Sequence, residues 1–194
     1  MTIAPVQGRI PIYLAAIGPK NVALAGEIAD GWIPMLISPE HLPELRRQLE
    51  LGAAAVGRPL DGFDIAPNVY AHVSDDVAKA RDMMRATVAL YVGGMGSREK
   101  NFYNDLVQRH GFEDAAREVQ DLYLAGKREA AMAALPDELI DLVTLNGPAS
   151  KVRERMQAYR DAGVGTLGIT PMASTREQRV EQLCQIAHLA KYPT

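Results

Sequence analysis

Apolar residues gather in four short, nearly continuous runs, and each run is followed by a stretch in which they recur every three to four positions. The first run, Ile10-Pro11-Ile12-Tyr13-Leu14-Ala15-Ala16, meets Gly18-Pro19 and then Val22, Leu24, Ala25, Ile28 and Ala29 at helical spacing. Proline is favoured in a first helical turn because the N–H it lacks has no partner there. The pattern therefore predicts strand, tight turn, helix. Asp30-Gly31 ends that helix, and Trp32–Ile37 is the second run. Ser38 is the expected N-cap of the next helix, with Pro39 at its first position and Leu42, Leu45, Leu49, Ala53 and Val56 on its apolar face. Phe63–Val73 is the third run, with Pro67 expected at a bulge or an edge. Ser74-Asp75-Asp76 caps the helix that follows, which runs to Tyr91 before Gly93-Gly94-Met95-Gly96 breaks it.

From Ser97 to about Val143 the signals are helical alone, and the block to about Leu145 reads as an insertion between the third helix and the fourth strand. Gly147-Pro148 then opens a helix to Ala162, with Gly163 as its C-cap, and Val164–Thr170 is the fourth run. Thr175 and Gln178 have capping-box spacing at the start of a last helix to Lys191, and Tyr192-Pro193-Thr194 is a tail. Nearly continuous apolar strands alternating with helices mark a parallel sheet buried on both faces. A closed (β/α)8 barrel needs eight βα units and about 200 residues or more. With four units in 194 residues, a quarter of them insertion, the chain is a small open α/β sheet or half of a barrel. A flavodoxin-like sheet fits less well, because it needs about five strands.

Composition narrows the function. Hydrophobic residues at 47% and charged residues at 23% describe a globular domain. A net charge of −3 leaves no basic excess to neutralise phosphates, so a nucleic-acid platform is not expected. The one cysteine, Cys184, cannot form an intrachain disulfide, no apolar run approaches a membrane span, and Met1–Pro5 lacks the charge and apolar core of a signal peptide. The expected location is cytoplasmic.

The best chemical candidate is the exit of the first strand, Ala15-Ala16-Ile17-Gly18-Pro19-Lys20-Asn21. A glycine at a βα turn lets backbone N–H groups approach a ligand, and the helix behind it offers the positive end of a dipole. A Gly-Pro turn is also common for structural reasons alone. It is neither a Walker loop nor a dinucleotide fingerprint. Asp30-Gly31-Trp32 reads first as a helix-ending turn with a tryptophan anchor. His41, His72, His110 and His188 are scattered, and no metal-ligand spacing occurs. His72 alone points towards the expected active face, and a structural role is the simpler reading. Tyr13, Tyr70 and Tyr91 fit a half-buried core as well as a pocket.

Two stretches carry a family resemblance. IPIYLAAIGPKNVALAGEIADGWIPM resembles the signature of luciferase-like monooxygenases, and NGPASKVRERMQAYRDAGVGTLGITPM is similar to that family's C-terminal signature. The branch it most resembles is the oxidoreductases that use the deazaflavin coenzyme F420. The resemblance implies a (β/α)8 barrel of TIM type with an insertion before the last strand. The chain, 1–194 as a single domain with the helical insertion at 97–145, would supply strands five to eight. It implies hydride transfer between F420, or alternatively FMN, and a small organic substrate. Ala15, Ala16, Ile17, Gly18 and Pro19 would contact the cofactor's ring edge, ribityl chain and phosphate, and Met35 would line the same groove. Relatives with polar or basic residues after the second strand have a phosphate grip that Met35-Leu36-Ile37-Ser38 lacks, which leaves Ser38 and Lys20 as substitutes. A non-proline cis peptide that backs the ring would lie in the missing half. The other reading is a non-catalytic half-barrel acting as an interaction module. On either reading, the open sheet edges predict a homo-oligomer or an N-terminal half-barrel partner.

Overall fold

The computed structural model describes residues 6–191. The expectations for Met1–Pro5 and for the tail 192–194 fall outside them. Parallel strands alternate with helices: β1 (Tyr13–Leu14), α1 (Pro19–Ile28), β2 (Gly31–Trp32), α2 (Leu42–Ala55), β3 (Asp64–Ile65), β4 (Asn68–Val73) and α3 (Val77–Ala89). A π-helical turn at Leu90–Gly94 follows, then α4 (Phe102–Arg109), α5 (Glu113–Leu124), α6 (Arg128–Ala133) and α7 (Asp137–Val143). The chain closes with β5 (Leu145–Gly147), α8 (Ala149–Asp161), β6 (Gly168–Pro171) and α9 (Arg176–Lys191).

One sheet has the order β1-β2-β3 and the other β5-β4-β6, with every strand pair parallel. The two are joined through the third apolar run, which is interrupted at Ala66-Pro67. There the ladder continues: Ala66 N–H donates to the Trp32 carbonyl and Asn68 N–H to that of Pro34. Pro67 lacks an N–H, but its carbonyl accepts from Gly168. A bridge between Met35 and Asn68 is the last contact with the β2 segment. Beyond it β5 takes that side of β4, so Ala71 pairs with Leu145 on one side and Pro171 on the other.

The strand β5 was not expected. Leu145-Asn146-Gly147 is too short to show a period; the helical signals end at Val143 as read, and Leu145, the expected end of the insertion, belongs to this strand. The second helix also starts later than expected. Its N-cap is His41, and Ser38 instead accepts through its carbonyl from His41 and Leu42 N–H groups. Other local signals hold as read. Asp76 caps α3 by accepting from Lys79 N–H at 3.0 Å. Thr175 and Gln178 exchange two bonds of 3.2 Å, a reciprocal capping box. Gly163 follows α8 at φ 91°.

Packing explains the small residues of the first two helices. A Cβ on Gly26 would lie 2.0 Å from the Leu49 carbonyl oxygen, and one on Gly52 would lie 1.7 Å from that of Ala23. The backbones of α1 and α2 therefore touch, and only glycine fits at the crossing. In β4 the alternation of a strand sends Val69 and Ala71 into a core shared with Val152, Tyr159, Ile186 and Leu189 of α8 and α9. Asn68, Tyr70 and His72 take the other face.

Candidate functional site

The first βα turn builds a cleft of about 270 Å³. Ala15, Ala16, Ile17 and Gly18 form one wall, Asn21 joins from the first turn of α1, and Ile33 and Met35 come from the continuation of β2. Asn68 of β4 forms the floor, and Phe102 and Tyr103 at the start of α4 close the far side. Five of the six predicted contact residues, Ala15 to Gly18 and Met35, thus meet at one place. Pro19 stands at the first position of α1 and does not line the cleft.

The local chemistry suits an anion. Gly18 precedes α1 with no side-chain cap, and proline at the first helical position brings no N–H. Asn21 and Val22 N–H groups both turn back to the Gly18 carbonyl at 3.0 Å. No acidic side chain lines the cleft; its polar groups are the Asn21 and Asn68 amides and the Tyr103 phenol. No acidic side chain opposes the positive end of α1 at the mouth, but the Gly18 carbonyl already takes up the Asn21 and Val22 N–H groups. Lys20 is exposed in the same turn. Ser38 is fully buried, its hydroxyl 2.8 Å from His41 Nδ1, and it does not reach the cleft.

Buried bonds hold the walls. Trp32 is fully buried and its indole N–H donates to the Ala16 carbonyl at 2.8 Å, so the tryptophan anchors the turn after β1 as well as filling the core. Asp30 accepts from Ile12 N–H at 2.8 Å and pairs with Arg9. After Met35 the chain turns through Leu36 at φ 53°, a left-handed conformation that is uncommon for leucine. The turn carries Ile37 into the core, where the Tyr159 hydroxyl donates to its carbonyl at 2.8 Å. Burial pushes the Tyr159 phenol up, so it stays a neutral donor. Arg155 of α8 completes this support by pairing with Glu40 and donating to the Leu142 carbonyl.

The candidate turn of the sequence ends at Asn21, which does line the cleft, but sequence reasoning missed Ile33, Asn68, Phe102 and Tyr103. The last two come from the insertion, and their placement rests on Asn101. Its side-chain oxygen accepts from Tyr103 and Asn104 N–H groups, and its amide donates to the Tyr91 and Val92 carbonyls of the π-helical turn. Asn104 adds bonds to the Val92 and Ala116 carbonyls. Tyr91 packs edge-on to Tyr103 at 4.7 Å and lies within 6.5 Å of Tyr70. Burial raises the Tyr70 and Tyr103 phenols, which remain protonated donors. The Thr170 hydroxyl meets the Asn68 side-chain oxygen at 3.0 Å, and His72 Nδ1 lies 2.6 Å from the Met172 carbonyl, a structural tie between β4 and the exit of β6. Among the described residues no cluster of three or more His, Cys, Asp or Glu could hold a metal, no peptide bond is cis, and no helix is long and apolar enough to cross a membrane.

A parallel α/β chain with a ligand cleft outside the carboxyl ends of its strands is an architecture shared by many enzymes. The family model for luciferase-like monooxygenases matches residues 1–166, and the chain belongs to that family. It is 38% identical over 176 residues to a Mycobacterium tuberculosis protein named "putative coenzyme F420-dependent oxidoreductase Rv3520c", covering 90% of this chain and 50% of the relative. It is 31% identical over 162 residues to a 5,10-methylenetetrahydromethanopterin reductase of Archaeoglobus fulgidus, covering 81% of this chain and 47% of that one. In fold it is similar to the coenzyme F420-dependent tetrahydromethanopterin reductase of Methanopyrus kandleri, with TM-score 0.72, 24% identity, and coverage of 95% of this chain and 50% of the other. The chain spans about half the length of the curated relatives it matches. One of those relatives is named as a coenzyme F420-dependent oxidoreductase and the other as a reductase, and the structural neighbours are enzymes.

Proposed function

We propose that this chain is the C-terminal half of a luciferase-like (β/α)8 barrel, supplying βα units five to eight with residues 97–145 inserted before the last. Its role is to hold the cofactor of an oxidoreductase that passes hydride between F420 and a small organic substrate. The observation that carries this reading is the cleft itself: the Ala15–Gly18 turn and Met35 converge on the uncapped N-terminus of α1, at the carboxyl ends of β1 and β2.

The residues present fit a ribityl-phosphate cofactor. Gly18 keeps the turn free of a side chain where the Phe102 ring packs on it, the Asn21 side-chain amide and the positive end of α1 can face an anion, and Met35 and Ile33 offer apolar surface to a flat ring edge. When bound, the cofactor supplies the hydride chemistry; the protein orients it and limits its access to water. Trp32 fixes the turn, Asn68 is fixed by Thr170, and Tyr103 offers a neutral hydroxyl to the ligand. Pro19 contributes by presetting the first turn of the helix. F420 is favoured over FMN by the name of the Mycobacterium tuberculosis relative.

The sheet supports a missing half. β1 exposes Ile10 at 70% and Ile12 at 62% just before its paired residues, and α9 exposes Val180 and Leu183. A groove of about 370 Å³ between α8 and α9 is lined by Met156, Leu167, Ile169 and Leu183. Apolar surface of this kind is covered in an N-terminal half-barrel complement or in a second copy. A freestanding structural module is less favoured, because the relatives are enzymes and the ligand cleft is formed. Parallel titrations with F420 and FMN, read by quenching of cofactor fluorescence, test the reading: saturable binding with F420 the tighter supports it, and no binding of either by the folded protein overturns it.

A further inference from the structure

The insertion does more than fill space beside the barrel. Its first helix begins with Phe102, a ring left 48% exposed at the cleft. The ring sits against the ligand turn: a Cβ on Gly18 would lie 3.3 Å from Phe102 Cδ1. An exposed phenyl group adds little to folding, yet its position is heavily specified. Asn101, 2% exposed, uses both ends of its amide to tie the start of α4 to the π-helical turn, and Asn104, 3% exposed, binds the same turn at Val92. Gly96 is required beside it, since a Cβ there would lie 2.2 Å from the Lys100 carbonyl oxygen. π-helical turns are frequent at functional sites.

We propose that Phe102 is a ligand-contact residue: its ring packs on the polyol chain that joins the flat ring of the cofactor to its phosphate. This rests on the cofactor reading of the cleft and adds a contact from the insertion to it. On the cofactor reading, Gly18 would face the polyol chain, and Phe102, whose ring touches Gly18, would flank that chain. The C–H groups of an extended polyol are the apolar surface an aromatic ring can cover there, and the Asn21 and Asn68 amides would be the partners for its hydroxyls. F420 and FMN share this chain, so the contact is common to both and the arms of the test separate them.

The test is a fluorescence titration of the full protein with F420, FMN and the phosphate-free counterpart of each. Phe102 is half-exposed and bears no hydrogen-bonding group, so its variants fold. Phe102→Ala is expected to weaken whichever cofactor binds by about tenfold, the scale of uncovering part of an aromatic face, and Phe102→Tyr to stay within about twofold. The phosphate-free counterpart loses the same factor, because the polyol chain is present in both. Unchanged affinity in Phe102→Ala, with the wild type binding, overturns this inference and leaves the cofactor reading intact. A loss confined to the phosphate-bearing compound overturns it too, by assigning the contact to the anion. Failure of the wild-type protein to bind any of the four overturns both.

Discussion

The indole N–H of Trp32 donates to the carbonyl of Ala16 at 2.8 Å, across the boundary between β2 and the turn that follows β1. Trp32 is fully buried, so the bond has no competition from water. It fixes the peptide next to Ile17-Gly18, where the ligand turn changes direction. Trp32→Phe keeps most of the apolar volume and leaves the Ala16 carbonyl without this donor. The expected cost is about 2 kcal/mol in chemical denaturation, with weaker cofactor binding beyond it. Equal affinity in a destabilised Trp32→Phe variant would show that the turn holds its shape without the tryptophan.

The crossing of α1 and α2 tolerates no side chain. Gly26→Ala or Gly52→Ala places a methyl group against a backbone carbonyl at 2.0 Å or 1.7 Å, so the helices must separate. A loss of about 2 kcal/mol or more is expected. Gly8→Ala, with nothing within 4 Å, is the control and should change stability by less than about 0.5 kcal/mol. Thermal melts of the three variants check the ranking.

His110 makes the fold acid-sensitive. It stacks on His41 at 4.2 Å, is 7% exposed, and neither ring nitrogen has a partner. Burial first, then the charges of His41 and Arg109, push its imidazole down from 6.5 to about 4; Glu40 opposes them. The unfolded chain takes up this proton near pH 6.5 and the folded chain only near pH 4. The stabilising contribution of neutral His110 is therefore full above about pH 6.5 and is lost as the pH falls towards 4, about 3 kcal/mol in all. His110→Leu should flatten that part of the stability profile. A profile with the same slope in the variant would rule out His110 as its source.

Asn101 is the hinge pin of the far wall. Asn101→Ala removes two accepted and two donated bonds at a buried position, with an expected loss of about 3 kcal/mol. Asn101→Asp keeps the helix cap but sets a buried carboxylate oxygen against the Tyr91 and Val92 carbonyls, so at neutral pH it should cost at least as much as Asn101→Ala. Urea denaturation gives the order directly.

What was legible in the sequence had a local cause. The strand–turn–helix at Gly18-Pro19, the Asp76 cap and the Thr175–Gln178 box each need residues close together, and each is present. Ala15 to Gly18 could be singled out because a βα turn and a helix start suffice to name a ligand loop. The remainder depends on distance along the chain. Phe102 reaches Gly18 through a fold that spans α1 to α4, and no local pattern marks it. Ser38 carries the signature of an N-cap, but the left-handed turn at Leu36 buries it against His41. Leucine gives no sign of that backbone conformation, as glycine would. Three residues of β5 show no alternation, and its existence follows from the side of β4 that β2 leaves unpaired.

Hydrogen exchange with and without F420 tests the central claim most directly. The account predicts that the cofactor slows exchange at residues 15–21, 33–35 and 101–104, the turn, the β2 exit and the start of α4. Protection confined to the groove between α8 and α9, or no change at cofactor concentrations on the order of 1 mM, would contradict it.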